Sequence, residues 1–107
     1  MTRPDHKLQR LAAQIQRSIE STLIGECPEE VLQNLEVQKV EPAAGNRMLV
    51  TLIAHPPGSE MPKEAVLQLL ETRRNLIVSR VAEDVTRHAL PELTFWVVRE
   101  PIPGTPG

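Results

Sequence analysis

Leu8, Leu11, Ile15, Ile19 and Leu23 recur at steps of three and four. That spacing puts them on one side of a helix and predicts one from about Lys7 to Ile24. Ala12 widens the apolar stripe, and Gly25 stands where a helix stop is expected. Cys27-Pro28-Glu29-Glu30 then turns the chain, because Pro28 prevents the helix from continuing. From Leu35 the period falls to two: Leu35 and Val37 alternate with Glu36 and Gln38, which predicts a strand over 35–40. Glu41 to Asn46 reads as a turn from its Pro, Gly and Asn. Over 47–55, Met48, Val50, Leu52 and Ala54 fall on one face, and Leu49, Thr51 and Ile53 on the other. This is the clearest strand pattern in the chain, and the two strands are expected to pair antiparallel.

The stretch from His55 to Pro62 holds three prolines and is expected to be a loop. From Pro62 or Lys63 to about Leu90 the pattern is helical again, carried by Val66, Leu70, Ile77, Val81 and Val85. Arg73-Arg74-Asn75 falls where apolar residues are due, so a kink or break is expected there, giving two helices in sequence. Pro91 ends the second, and Leu93, Phe95 and Val97 alternate with Thr94, Trp96 and Val98 in a last strand. The predicted order is α-β-β-α-α-β. Its simplest packing is an α+β domain with a three-stranded sheet and the helices on one face. One domain is expected over 1–100, with a Pro/Gly-rich tail, 101–107, expected to be disordered.

Composition narrows the function classes. A length of 107 residues suits one domain with a working core, and 40% hydrophobic with 24% charged residues is ordinary for a soluble protein. Phe95 and Trp96 are the only aromatic residues, too few for a protein that grips single-stranded nucleic acid by stacking. Cys27 is the only cysteine, which excludes an internal disulfide and a multi-cysteine zinc site. The polar opening residues and the lack of any long apolar run point to a cytoplasmic, reducing setting without a membrane anchor. The net charge of −2 argues against a uniformly basic nucleic-acid binder, but the charge is uneven. Residues 1–17 carry four cations and one acid, 18–72 three cations and nine acids, and 73–90 four cations and two acids. Local fields of this kind matter more to a phosphate than the total.

Three segments together resemble ribosome-binding factor A, a family with a type-II K-homology-like fold. The run Arg10-Leu11-Ala12-Ala13-Gln14-Ile15-Gln16-Arg17-Ser18-Ile19 is close to the family's R-x-A-x-Q-I-x-R-x-I/L start. Leu35 to Val40 followed by Met48 to Ile53 matches its strand pair. Leu90-Pro91-Glu92-Leu93-Thr94-Phe95 is similar to its V-P-E-L-x-F entry to the last strand, the most specific of the three. The likeness spans roughly residues 7 to 98. It departs in two places: Arg73-Arg74-Asn75 stands where the family has a small A-x-G kink, and the family's basic run before V-P-E-L is here Glu83-Asp84-Val85-Thr86-Arg87-His88-Ala89. Asn75 offers the left-handed conformation that Gly favours in such a kink. The resemblance, to a divergent member, implies a factor that binds the small (30S) ribosomal subunit and supports late maturation of 16S rRNA, including precursor processing. It implies no enzyme activity and no cofactor. The implied partners are the small subunit and its rRNA, with ribosomal proteins or an assembly GTPase as further candidates, and a monomer is expected.

The candidate RNA-binding residues are Arg73, Arg74, Arg80 and Arg87 in the second helical region, and Lys7, Arg10 and Arg17 in the first helix. Steps of seven put Arg73, Arg80 and Arg87 nearly in line on a helix, and the guanidinium fork suits phosphate. Against this, Glu83 lies three after Arg80 and four before Arg87, the spacing of ordinary surface pairs. No catalytic or metal-binding residue is expected. Acids around Cys27 should raise its thiol pKa, and His6, His55 and His88 lack ligand spacing. Two other readings compete: a protein-interaction module on the same fold that has lost RNA binding, favoured by the acidic middle segment, and a BolA-like partner domain, which would need His55 or His88 beside Cys27 or a partner's thiols.

Overall fold

The computed structural model describes residues 6–85 and 90–99. Its elements are α1 (His6–Gly25), α2 (Glu30–Gln33), β1 (Leu35–Ala43), β2 (Arg47–Ala54), a 3-10 turn (Gly58–Glu60), α3 (Lys63–Thr72), α4 (Arg74–Asp84) and β3 (Glu92–Val98). The expected tail, together with Arg87 and His88, lies outside the described residues. The sheet order is β1-β2-β3, with β1 and β2 antiparallel and β2 and β3 parallel. A parallel neighbour requires a crossover, and α3 and α4 supply it.

Register explains the single core. Val50 sits between Val40 and Phe95, and Leu52 between Val37 and Val97, so one face of the sheet is apolar across all three strands. Against it α1 lays Leu11, Ile15, Ile19 and Leu23, and the crossover helices lay Val66, Leu70, Ile77 and Val81, all buried. These are the positions that the helical and alternating periods select. The other face carries Leu49, Thr51 and Ile53 between Glu36, Lys39 and Glu41 on β1 and Thr94, Trp96 and Val98 on β3.

The structure departs from expectation locally. The register shifts between Val37 and Lys39. Gln38 is the extra residue of a bulge, so Val40 and not Lys39 returns to the core. β1 runs on to Ala43 through Pro42, which an outer strand tolerates because its missing N–H need not face a neighbour. The turn narrows to Ala44-Gly45-Asn46, where Gly45 (φ 75°) and Asn46 (φ 53°) both take the left-handed conformation. Asn46's carbonyl accepts from the N–H of Glu92 at 3.1 Å, fastening the hairpin to β3. The break falls at Arg73 (φ −104°, ψ 8°), while Asn75 lies inside α4 with no left-handed backbone. α4 stops at Asp84 and not near Leu90. Glu83 and Asp84 oppose the negative end of the helix dipole, and β-branched Val85, a poor continuer, follows in an extended conformation.

Candidate nucleic-acid interface

The expected arginine row does not form on one rigid helix. Arg73 sits at the break, Arg74 opens α4, Arg80 lies within it, and Arg87 is beyond the described residues. Each described member is held by carboxylates. Arg73 Nε donates to Glu29 Oε1 at 3.0 Å, and its Nη2 donates to Oε2. Arg80 Nε donates to both Glu26 oxygens at 2.7 Å, and Nη1 donates to Glu83 Oε2 at 2.9 Å. Arg74 Nε and Nη2 donate to the two oxygens of Glu71 at 2.6 and 3.0 Å, and Nη1 donates to the carbonyl of Leu93 at 2.8 Å. Arg74 also stacks over the Phe95 ring at 4.8 Å.

Glu26 and Glu29 come from the short connection between α1 and α2, which Gln33 Nε2 pins by donating to the carbonyl of Cys27 at 2.7 Å. One loop therefore clamps two arginines of the crossover. The charge consequences are mutual. Arg73 holds the Glu29 carboxyl below its usual range, and Arg74 does the same for Glu71. Each arginine is in turn pushed up, chiefly by hydrogen bonding to its carboxylate. A guanidinium forked onto a carboxylate has already committed the geometry with which it would grip phosphate.

The second set stands differently. Leu11, Ile15 and Ile19 turn inward on α1, so Arg10, Gln14, Arg17 and Ser21 emerge on the opposite face, all exposed. Arg10 and Arg17 make no ion pair among the described residues. Lys7 is exposed one turn before Arg10. A groove of ≈ 330 Å³ lined by Gln14, Arg17, Ser18, Ser21 and Asp84 joins this face to the end of α4. Ser18 Oγ donates to Asp84 Oδ2 there at 2.7 Å, fixing the two helices to each other.

No protein-family model and no curated protein matches the chain. The crystal structure of ribosome-binding factor A from Thermus thermophilus does, with a TM-score of 0.68 at 24% identity over 84% of this chain and 94% of that one. The chain has the ribosome-binding factor A fold. The α+β, K-homology-like architecture expected from sequence is thereby met. Arg73 occupies the α3–α4 connection, where the sequence likeness called for a small-residue kink.

Trp96 emerges from the sheet face opposite the helices, 51% exposed, with Lys63 Nζ 5.3 Å from its ring centroid. Cys27 is buried; burial, more than Glu29 and Glu26, pushes its thiol up. The surrounding acids noted in the sequence thus act in the expected direction but are the smaller cause. His55 Nε2 lies 2.8 Å from Glu36 Oε1, and no cluster of three or more His, Cys, Asp or Glu able to hold a metal occurs among the described residues. Among the described residues no helix is long and apolar enough to cross a membrane. The carboxylate clamp on Arg73 and Arg80 was missed: its members are 44 and 54 residues apart, and only the acidity of Glu26 to Glu30 hinted at it.

Proposed function

We propose that the chain is a divergent member of the ribosome-binding factor A family: a non-enzymatic cytoplasmic assembly factor that binds the small (30S) ribosomal subunit and supports late maturation of 16S rRNA, including precursor processing. The observation that carries this reading is the fold match over nearly the whole of both chains. The motifs around Arg10 to Ile19 and Leu90 to Phe95 support it from sequence. The RNA-facing surface is the exposed side of α1, with Arg10 and Arg17 as its open guanidinium groups and Lys7 beside them. Backbone-directed contact with folded RNA needs cations on a rigid element and few aromatic side chains, which suits this helix and this composition. Arg73, Arg74 and Arg80 serve mainly to hold the crossover to the α1–α2 loop and to β3.

The test is co-sedimentation of the protein with ribosomal fractions at low and raised salt. Salt-sensitive migration with the small subunit is expected. Absence from every ribosomal fraction would overturn the reading. A second reading, a protein-interaction module that has lost RNA binding, draws on one observation: the described arginines of the crossover are neutralised within the chain. It predicts a defined protein complex that withstands moderate salt.

A further inference from the structure

The groove of ≈ 330 Å³ between α1 and the end of α4 brings a cation and an anion to one place without joining them. Arg17 and Asp84 both line it, yet neither forms an ion pair among the described residues. Elsewhere the fold does pair such groups, with Arg73, Arg74 and Arg80 each forked onto a carboxylate. Asp84 is held instead by Ser18, a residue only 3% exposed, whose hydroxyl donates to Oδ2 at 2.7 Å. That bond fixes the carboxylate and leaves Oδ1, with one lone pair of Oδ2, able to accept from a ligand. The charge itself does nothing for the fold. Asp84 is the last residue of α4, where an anion opposes the helix dipole. An Asn there would accept from Ser18 equally well and avoid that cost.

A ligand that satisfies this groove presents donors to Asp84 and an anion to Arg17. Phosphate alone meets only the second demand. A Lys or Arg side chain of a protein meets only the first, and Arg17 and Arg10 repel it. An unpaired nucleotide meets both, and folded RNA displays such bases in its loops and bulges. The volume lies at the lower end of the range of about 300–1,000 Å³ found for small-ligand sites. Among the four bases, guanine alone carries two adjacent donors on its Watson–Crick edge, N1–H and the N2 amino group. Adenine and cytosine set a ring acceptor beside their amino group, and uracil flanks its N–H with two carbonyls. Each of those three turns an acceptor against the carboxylate.

Resting on the reading that the exposed side of α1 meets RNA, we propose that this groove takes one unpaired guanine of that RNA. N1–H and the N2 amino group donate to the Asp84 carboxylate, Gln14 donates its side-chain amide to O6, and Arg17 takes the adjoining phosphate. Asp84 sets the base preference, Ser18 holds it in position, and Arg17 supplies affinity that is blind to the base.

The probes are uridine heptaribonucleotides with one central guanosine, inosine or adenosine, titrated into the ¹⁵N-labelled full chain at low salt. The guanosine oligomer should shift the amides of 14–21 and 84 and bind about tenfold tighter than the adenosine one. Inosine keeps N1–H and lacks the N2 amino group, so its oligomer should fall between them. Asp84→Asn should erase the preference for guanosine, whereas Arg17→Gln should weaken all three oligomers and keep it. Thermal unfolding of both variants checks that the fold is retained. Equal affinity for guanosine and adenosine, shifts centred elsewhere, or a preference that survives Asp84→Asn would overturn the proposal. So would guanosine 5′-monophosphate binding as tightly as the oligomer, since the occupant would then be a free nucleotide. Co-sedimentation with the small subunit alongside equal affinity for the two bases would remove this site and leave the assembly-factor reading standing. A guanosine preference without co-sedimentation would do the opposite.

Discussion

Arg10 and Arg17 on α1 are exposed and make no ion pair among the described residues, whereas Arg73, Arg74 and Arg80 are each forked onto a carboxylate. Both sets have the helical spacing that suggests a phosphate-binding row. What separates them is company. α1 presents Arg10 and Arg17 beside Gln14 and Ser21, with one acid in the groove, Asp84, that already accepts from Ser18, while the crossover presents its own to Glu26, Glu29, Glu71 and Glu83. A cation row read from spacing is therefore only a candidate until the acids that the fold delivers to it are known.

The largest effect on this comparison comes from the platform beneath both sets. Ile19 is fully buried where α1 meets the sheet, so Ile19→Ala should cost about 2–5 kcal/mol in urea unfolding. Ile24→Ala on the exposed face should stay within about 0.5 kcal/mol. Equal losses at the two sites would mean that α1 is not seated as described. Next in size, Arg73→Gln/Arg80→Gln should lower the urea midpoint, by less than Ile19→Ala, because two ties between the crossover and the α1–α2 loop are lost. An unchanged midpoint would return these arginines to the role of open cations.

Releasing the arginines sharpens the contrast from the other side. Glu26→Gln/Glu29→Gln should also lower the midpoint, yet raise affinity for small-subunit RNA about threefold, since Arg73 and Arg80 become available to phosphate. A fall in affinity would count against the clamp. The smallest effect is in acid. Glu29 and Glu71 titrate below their unfolded values in the folded chain, through Arg73 and Arg74 respectively. Their contribution is present above the ordinary carboxylate value of about 4.3 and is lost as pH falls through the lowered folded values. Glu29→Gln/Glu71→Gln should thus lose less stability than wild type between pH 6 and pH 2.5. Parallel curves would contradict the pairing.

Much of the fold was legible because its core obeys simple periods. Ile15, Ile19 and Leu23 on α1, Val50 and Leu52 on β2, and Val66, Leu70, Ile77 and Val81 on the crossover are where the patterns put them, and Arg73 breaks the helix where apolar residues ran out. The rest turned on features without a period. α2 is only four residues long, too short to register. Gln38 enters as a bulge, which alternation cannot announce. Val85 keeps the helical step and is buried, but as an extended residue past the end of α4 (φ −112°, ψ 111°). At the candidate site, the two basic segments were visible in sequence. The carboxylates that neutralise one of them arrive from a distant part of the chain, and only the folded arrangement brings them in.

The most direct test measures small-subunit binding across a range of salt for wild type, Arg10→Glu/Arg17→Glu and Arg73→Gln/Arg80→Gln. The account predicts that the α1 variant lowers the slope of log affinity against log salt by about two, while the crossover variant leaves the slope near that of wild type. The reverse result, with the slope lost at Arg73 and Arg80 and kept at Arg10 and Arg17, would contradict it.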